Sequence, residues 1–355
     1  MSSSVPTFIV GTGRCGSTML SNMLREHPQV LSLSEFFGLV GEGGKVPEAF
    51  APESMDGRRF WSIVASTTAP LLNFALRNRL PVPEYLYDCD APAARFSSQT
   101  GVPAILVTTL PHLTEDCDAL FSVLEKEVTA WPAAMIGEHY RHLFGWLAQH
   151  FGKRLWVERS GNIRLNEKLL ALFPEARFVH LVRDGRDAAI SMQGHLVFRL
   201  GLLMIRIEQC LGVHPLQSAD RARINDVPTE LRPFLPERFS LEAFLAFRIP
   251  LQLCGEFWAQ EIDTGLAVLR ALPADRLLTL RYEDFFVDPK RQLDALTTFL
   301  DDGLIDEEWS IRCAATVRKP KSSWRDLPAE EARALTEACH PGFDLLREAG
   351  VHYDF

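Results

Sequence analysis

Short apolar runs alternate with helical patterns along this chain. Runs rich in β-branched and large apolar residues predict strands at 7–10, 30–33, 154–158, 176–182 and 277–281. Apolar residues at helical spacing predict helices at 18–26, 185–193 and 291–300, where Leu293, Leu296, Thr297 and Leu300 share one face. This alternation predicts an α/β fold with a mostly parallel central sheet.

Two long stretches separate the predicted strands. Residues 40–150 are rich in proline and aromatic residues, and residues 196–260 mix leucine, phenylalanine and arginine. Both carry too many large apolar side chains to be solvated linkers. We expect one domain over residues 1–355, in which these stretches are mainly helical insertions that wall a second substrate site at the carboxyl edge of the sheet.

Composition narrows the classes of partner. The chain has 355 residues, 47% of them hydrophobic, and a formal net charge of −9, which argues against general affinity for nucleic acid or anionic membranes. Its seven scattered cysteines indicate reduced thiols in a cytoplasmic protein, with neither a disulfide framework nor a zinc site. The longest apolar runs are too short to cross a bilayer, and the N-terminus does not resemble a signal peptide.

A glycine-rich turn joins the first strand to the first helix, with the sequence Gly11-Thr12-Gly13-Arg14-Cys15-Gly16-Ser17-Thr18. Such a turn directs several backbone N–H groups and the positive end of a helix dipole at one point, which suits a phosphate-like anion. A nucleotide triphosphatase loop needs a lysine where this chain has Ser17. The sequence therefore predicts a P-loop-like anion site without Mg-ATP chemistry, in which Arg14 supplies the positive charge.

A second anion site is predicted where the strand at 176–182 ends in Arg183. Ser191 follows about two helical turns later, so a guanidinium and a hydroxyl can converge on one anion, with Asp187 as a brace. The alternative is a strand-end arginine beside a solvated helix start. A third basic segment contains Arg318 and Lys319, and its alternative is a solvated loop. Together the three segments predict a nucleotide that carries anions at two places.

These segments resemble, in order, motifs of the sulfotransferase family that uses 3′-phosphoadenosine 5′-phosphosulfate (PAPS). The resemblance implies that the 5′-phosphosulfate loop is formed by Arg14, Cys15, Gly16, Ser17 and Thr18, and the 3′-phosphate site by Arg183 and Ser191. It also implies that Tyr282 contacts the adenine and that Arg318 and Lys319 belong to a C-terminal PAPS loop. It also implies PAPS as co-substrate, adenosine 3′,5′-bisphosphate as product and no metal.

Within that family the chain is similar to the bacterial and tyrosylprotein-type branch. Arg14 in place of lysine, together with the segment His27-Pro28 leading to Glu35, is one reason, and the resemblance implies that Glu35 is the catalytic base. The segment 156–160 is the other, with Arg159 where the branch has lysine. Arginine keeps the charge but does not release a proton, so Arg159 is expected to act as an electrostatic clamp. Cys15 replaces the common serine and removes one hydroxyl donor.

The predicted reaction is sulfuryl transfer from PAPS to a hydroxyl or amine of a small, apolar or lipid or sugar acceptor. Arg14 is expected to act as a catalytic residue that stabilises, with the loop amides, the charge on the leaving 5′-phosphate. A P-loop kinase or other phosphotransferase is the alternative enzyme, and Ser17 argues against it. A non-catalytic nucleotide-binding protein is the alternative outside enzymes. His139 or His195 in place of Glu35 as the general base also stays open.

Overall fold

Five parallel strands form the central sheet of the structure, a computed structural model that describes residues 5–41, 46–67, 70–82 and 84–354. The strands are β1 Thr7–Val10, β2 Val30–Ser34, β5 Leu155–Arg159, β6 Arg177–Val182 and β7 Leu277–Arg281. Their spatial order is β2-β5-β1-β6-β7, and each neighbouring pair is parallel. The predicted fold class is confirmed, and each predicted strand lies within one residue of its observed bounds. Two short strands, β3 Ser54–Met55 and β4 Ala134–Met135, pair antiparallel elsewhere.

The sheet is covered on both faces. In β1 every residue is buried, because alternate side chains enter different clusters. Phe8 packs with Phe178 of β6 in an aromatic cluster on one face. Ile9 and Val179 pack into an aliphatic cluster on the other face. Near-continuous apolar strands of this kind are typical of parallel sheets between two helical layers.

Seventeen α-helices lie within the described residues. They are α1 Ser17–Arg25, α2 Phe36–Gly41, α3 Val46–Ala49, α4 Gly57–Val64, α5 Pro70–Arg77, α6 Ala104–Val107, α7 Thr109–Leu113, α8 Cys117–Val128, α9 Ile136–His150, α10 Asn166–Leu172, α11 Gly185–Gly194, α12 Leu196–Leu211, α13 Leu241–Ala246, α14 Leu251–Arg270, α15 Pro289–Leu300, α16 Glu307–Ala314 and α17 Ala329–Glu348. No single one of these helices has the length and hydropathy needed to cross a membrane; only the bent pair α11 and α12 meets that test jointly, at 92°.

The three predicted helices correspond to α1, α11 and α15. Helix α15 buries the four residues of the predicted face, Leu293, Leu296, Thr297 and Leu300. It begins two residues before the predicted start because Asp288 accepts a hydrogen bond from the Arg291 backbone N–H and Pro289 occupies the first helical position.

The stretches expected to be helical insertions contain α3 to α9 and α12 to the first half of α14. Residues 78–103 depart from that expectation, because their described part forms turns and irregular segments. Prolines at 81, 92 and 103 explain this, since each lacks the backbone N–H that a helix interior uses.

Candidate active site

The carboxyl ends of the five parallel strands lie along one edge of the sheet, where open α/β sheets bind ligands. This edge brings five predicted site residues to the same side, namely Arg14, Glu35, Arg159, Arg183 and Tyr282. A cavity of about 540 Å³ opens there. It is lined by Arg14, Gly16, Ser17, Thr18, Glu84, Arg183, Asp187, Ile190, Ser191, Gly194, His195, Tyr282, Pro320 and Ser322.

The glycine-rich loop forms one side of the cavity. Gly13, Arg14 and Gly16 have positive φ values of 73°, 53° and 95°. Gly16 precedes α1 and has no side chain to cap this helix start, so the positive end of the helix faces the cavity, where an anion would be stabilised. A Cβ atom at Gly16 would lie 2.3 Å from the Tyr282 ring, so this position needs glycine for space as well as for conformation.

Arg14 and Arg183 are joined directly. Nη1 of Arg183 donates a 2.9 Å hydrogen bond to the backbone carbonyl of Arg14, and its guanidinium lies 4.8 Å from the centre of the Tyr282 ring. Arg14 in turn donates from Nε to Oγ of Ser191, at 3.2 Å. The two predicted anion sites therefore share one cavity.

Glu84 is a cavity residue that sequence reasoning missed. Its Oε1 lies 3.1 Å from Nη1 of Arg14 and 2.7 Å from Nε2 of His195. Burial alone would raise the pKa of Glu84, but the hydrogen bond from His195 and the charge of Arg14 lower it to about 2. Glu84 lies in an irregular, proline-rich segment without periodicity or motif, so no sequence signal pointed to it.

The two histidines proposed as alternative bases have other partners. His195 uses Nε2 toward Glu84, and its Nδ1 accepts from the Phe198 N–H at the start of α12, so both ring nitrogens are engaged. His139 is buried outside the cavity, where Nε2 lies 2.7 Å from the Met55 carbonyl. Both ring nitrogens of His195 thus have partners, and His139 is not among the residues that line the cavity.

Glu35 and Arg159 form an ion pair at the ends of β2 and β5. The Arg159 side chain is almost fully buried; it donates to Oε1 of Glu35 and, at 2.7 Å, to Oγ of Ser34. Burial raises the pKa of Glu35, although the charge and hydrogen bond of Arg159 act in the opposite direction.

Three functional groups face the same small space beside Gly161, which has a φ of 61°. A Cβ atom there would lie 3.5 Å from Nη1 of Arg159, 3.5 Å from Oγ of Ser17 and 3.7 Å from Oε1 of Glu35. The ion pair is therefore next to the start of α1 and to the anion loop. A reacting group held by that loop would meet both a positive charge and a carboxylate.

The predicted residues that do not line the cavity are Glu35, Arg159, Cys15, Arg318 and Lys319. Cys15 is fully buried behind the loop, and burial raises the pKa of its thiol. Arg318 turns back on its own segment and donates to the carbonyls of Ala315 and Val317, at 2.7 and 2.8 Å. Lys319 is exposed. The predicted C-terminal basic segment thus reaches the cavity through its neighbours Pro320 and Ser322.

The described parts of the chain contain no evident group of side chains that could bind a metal ion. Over these residues, no group of three or more His, Cys, Asp or Glu side chains is close enough to hold an ion. The positive charge at the cavity comes from arginine.

Two models of known protein families match this chain. A model described as "Sulfotransferase family" matches residues 6–214, and one described as "Sulfotransferase domain" matches residues 165–325. The chain belongs to the sulfotransferase family. No curated protein matches it.

Three similar solved structures are also named as sulfotransferases. The sulfotransferase domain of the Synechococcus PCC 7002 olefin synthase has a TM-score of 0.45 and 18% identity, covering 100% of this chain and 98% of that one. Sulfotransferase STF9 from Mycobacterium avium has a TM-score of 0.47 and 15% identity, with coverage of 98% and 77%. The sulfotransferase domain from the curacin biosynthetic pathway has a TM-score of 0.41 and 16% identity, with coverage of 94% and 96%.

Proposed function

We propose that this sulfotransferase takes the sulfuryl group from PAPS and transfers it to a hydroxyl or amine of a small acceptor. The observation that carries the proposal is the single cavity in which the uncapped start of α1 and Arg183 approach each other, with the Glu35–Arg159 pair beside Ser17. PAPS carries anions at both ends of its adenosine, which is what two joined cationic sites suit.

The chemistry divides among the residues as follows. The acceptor oxygen or nitrogen attacks sulfur, and the bond from sulfur to the 5′-phosphate oxygen breaks. Glu35 takes the proton that the acceptor loses, and adenosine 3′,5′-bisphosphate leaves with the bonding electrons. The amides of Ser17 and Thr18 and the charge of Arg159 stabilise the negative charge that develops on the leaving oxygen. Ser191 and Arg183 hold the 3′-phosphate, and Tyr282 lies against the adenine.

The acceptor and the cellular setting are further parts of the proposal. A lipid, sugar-lipid or aromatic alcohol suits this chain better than a polyanionic polysaccharide, because the acidic chain carries no long basic track. All seven cysteines are free, which favours the reducing cytoplasm.

Thermal unfolding with added nucleotides tests the donor. Adenosine 3′,5′-bisphosphate or PAPS at about 100 times its dissociation constant should add about 2.7 kcal/mol to the free energy of unfolding, whereas Mg-ATP should add far less. A mass-spectrometric screen with labelled PAPS then identifies the acceptor by its gain of a sulfuryl group. Stabilisation by Mg-ATP alone would refute the proposal and favour a phosphotransferase. Stabilisation by the bisphosphate with no transfer to any acceptor would favour a binding protein.

A further inference from the structure

Glu158 is a buried carboxyl group that the proposed chemistry does not use. It lies in β5 next to Arg159, and strand alternation directs it to the opposite face of the sheet. The residue has no exposed surface. Its Oε1 accepts a 3.2 Å hydrogen bond from the backbone N–H of Phe37, and its Oε2 lies 2.6 Å from Oγ of Ser160. The carboxyl group therefore reaches the first turn of α2 and not the cavity.

That first turn follows Glu35 directly, and Glu35 has an unusual backbone. Its φ is 59°, in the left-handed region that residues other than glycine rarely adopt. Such a conformation persists only where the surroundings hold it. The Glu35 N–H donates to the Arg159 carbonyl at 2.7 Å, and the Glu35 carbonyl accepts from the Leu39 N–H at 2.9 Å. The Phe37 amide lies between these two contacts, and a helix leaves such first-turn amides without an internal partner.

We propose that Glu158 is a positioning residue: its hydrogen bond to Phe37 fixes the first turn of α2 and so holds Glu35 where its carboxylate meets Arg159. This inference rests on the proposed function, in which Glu35 is the base. The close packing of the Glu35 side chain against α2 also supports this role for Glu158, because a Cβ atom at Gly38 would lie 3.1 Å from Oε2 of Glu35. The carboxylate is thus folded closely over the turn that Glu158 holds.

The charge state of Glu158 determines which substitution preserves its contacts. Burial and, to a smaller extent, the nearby charge of Glu35 raise the pKa of Glu158 to about 8, against the opposing hydrogen bonds of Ser160 and Phe37 and the opposing charge of Arg159. The Phe37 N–H donates to Oε1 of Glu158, and the Ser160 hydroxyl donates to Oε2. Glutamine keeps the Phe37 contact through its amide oxygen, and its NH₂ group keeps the Ser160 contact by donating to the hydroxyl oxygen, whereas leucine makes neither contact.

The experiment compares Glu158→Leu with Glu158→Gln. We expect Glu158→Leu to lower kcat for sulfuryl transfer by about 10²-fold, since a small misplacement of a reacting group has that effect. Its affinity for adenosine 3′,5′-bisphosphate, measured by calorimetry, should stay unchanged. Glu158→Gln should keep a kcat close to wild type. Crystals of both variants with the bisphosphate should show Glu35 out of the left-handed region in the leucine variant only.

Glu261→Gln is the matched control, because Glu261 is also a buried carboxyl, pairs with Arg164 and does not line the cavity. It should change thermal stability without changing kcat. If Glu158→Leu does not fold, Ser160→Ala removes one of the two contacts and should lower kcat by a smaller factor.

The proposal is wrong if Glu158→Leu, or Ser160→Ala in its place, keeps kcat and leaves Glu35 left-handed. It is also wrong if the glutamine variant loses as much activity as the leucine variant. Should the wild type transfer no sulfuryl group, the proposed function fails, and the Glu35 backbone in the variant crystals still decides the positioning role.

Discussion

The site has two ends that handle charge in different ways: the cavity wall with Arg183 and Tyr282, and the Glu35–Arg159 pair, which lies beside Ser17 and does not line the cavity. At the end formed by Arg183 and Tyr282, the guanidinium is held by a backbone carbonyl and an aromatic face, which leaves its positive charge for a ligand. At the other end, Arg159 is already paired with the Glu35 carboxylate. The first end is therefore suited to binding an anion, and the second is balanced before any ligand arrives. Substitutions at the two ends should change different measured constants.

The largest effect is expected at the balanced end. Glu35→Gln removes the base but keeps a hydrogen-bond acceptor for Arg159, so kcat should fall by about 10²- to 10⁴-fold. Affinity for adenosine 3′,5′-bisphosphate, measured by calorimetry, should not change. Glu26→Gln, at an exposed glutamate after α1, is the control. Near wild-type transfer by Glu35→Gln with normal nucleotide binding would remove Glu35 as the base.

The pH dependence of transfer probes the same end. Burial raises the pKa of Glu35 above its ordinary value of 4.5. Since the base must be ionised, kcat should fall as pH decreases through the raised pKa, by about tenfold per pH unit below it. The midpoint of this acid limb should therefore lie above pH 4.5. A rate measured at saturating PAPS that stays constant down to the ordinary value would contradict a buried carboxylate base.

The anion-binding end should respond in affinity. Arg183→Ala removes a charged donor worth about 1.5–3 kcal/mol, so the dissociation constant for adenosine 3′,5′-bisphosphate should rise by about 10- to 100-fold. At saturating PAPS, kcat should change much less. Arg312→Ala, at an exposed arginine of α16, serves as the control. If Arg183→Ala lowered kcat and left affinity unchanged, the two ends would not be separable.

Local sequence was enough to predict the strands and the helix start that carry both ends of the site. The apolar runs located the strands, and the glycine-rich turn located the start of α1, because each depends on residues close together in the chain. Glu35 and Arg159 were found by resemblance, and their contact follows from β2 pairing with β5 in parallel register, Ser34 opposite Arg159. Parallel pairing of strands this far apart in sequence is a tertiary property.

Other parts of the site depend on contacts that local sequence does not encode. Glu84 comes from an irregular segment, and its meeting with Arg14 and His195 depends on how that segment packs over the sheet edge. Arg318 lies in the predicted basic segment, but its guanidinium donates hydrogen bonds to backbone carbonyls of its own loop. A run of charges marks such a loop without saying which side chain faces the cavity.

Gly16 lies where the anion loop meets Tyr282, so its substitution should disturb the binding end. Gly16→Ala forces a left-handed residue at φ 95° and places a methyl group 2.3 Å from the ring. We expect a loss of about 1–3 kcal/mol in the free energy of unfolding, measured by denaturant titration, together with weaker nucleotide binding. Gly145→Ala is the control, because its Cβ would meet nothing within 4 Å. Equal stability of the two variants would contradict the close contact with Tyr282.

The smallest predicted effect is a gain in nucleotide affinity, where the preceding substitutions cause losses. It distinguishes two possible roles for Glu84. Its carboxylate is paired with Arg14, and both side chains are about a quarter exposed. An anionic ligand must compete with this carboxylate for Arg14, and exposed pairs of this kind are worth about 0.2–1 kcal/mol. Glu84→Gln keeps an oxygen for His195 but loses the charge, so nucleotide affinity should increase, by about fivefold at most.

Calorimetry with adenosine 3′,5′-bisphosphate measures the change, with Glu242→Gln on α13 as an exposed control. The gain should shrink in high salt, because salt screens partly exposed charges. Weaker binding by Glu84→Gln would mean that Glu84 orients Arg14 toward the ligand instead of competing for it. The binding end would then be charge-balanced in advance, as the Glu35 end is, and the contrast between the two ends would be lost.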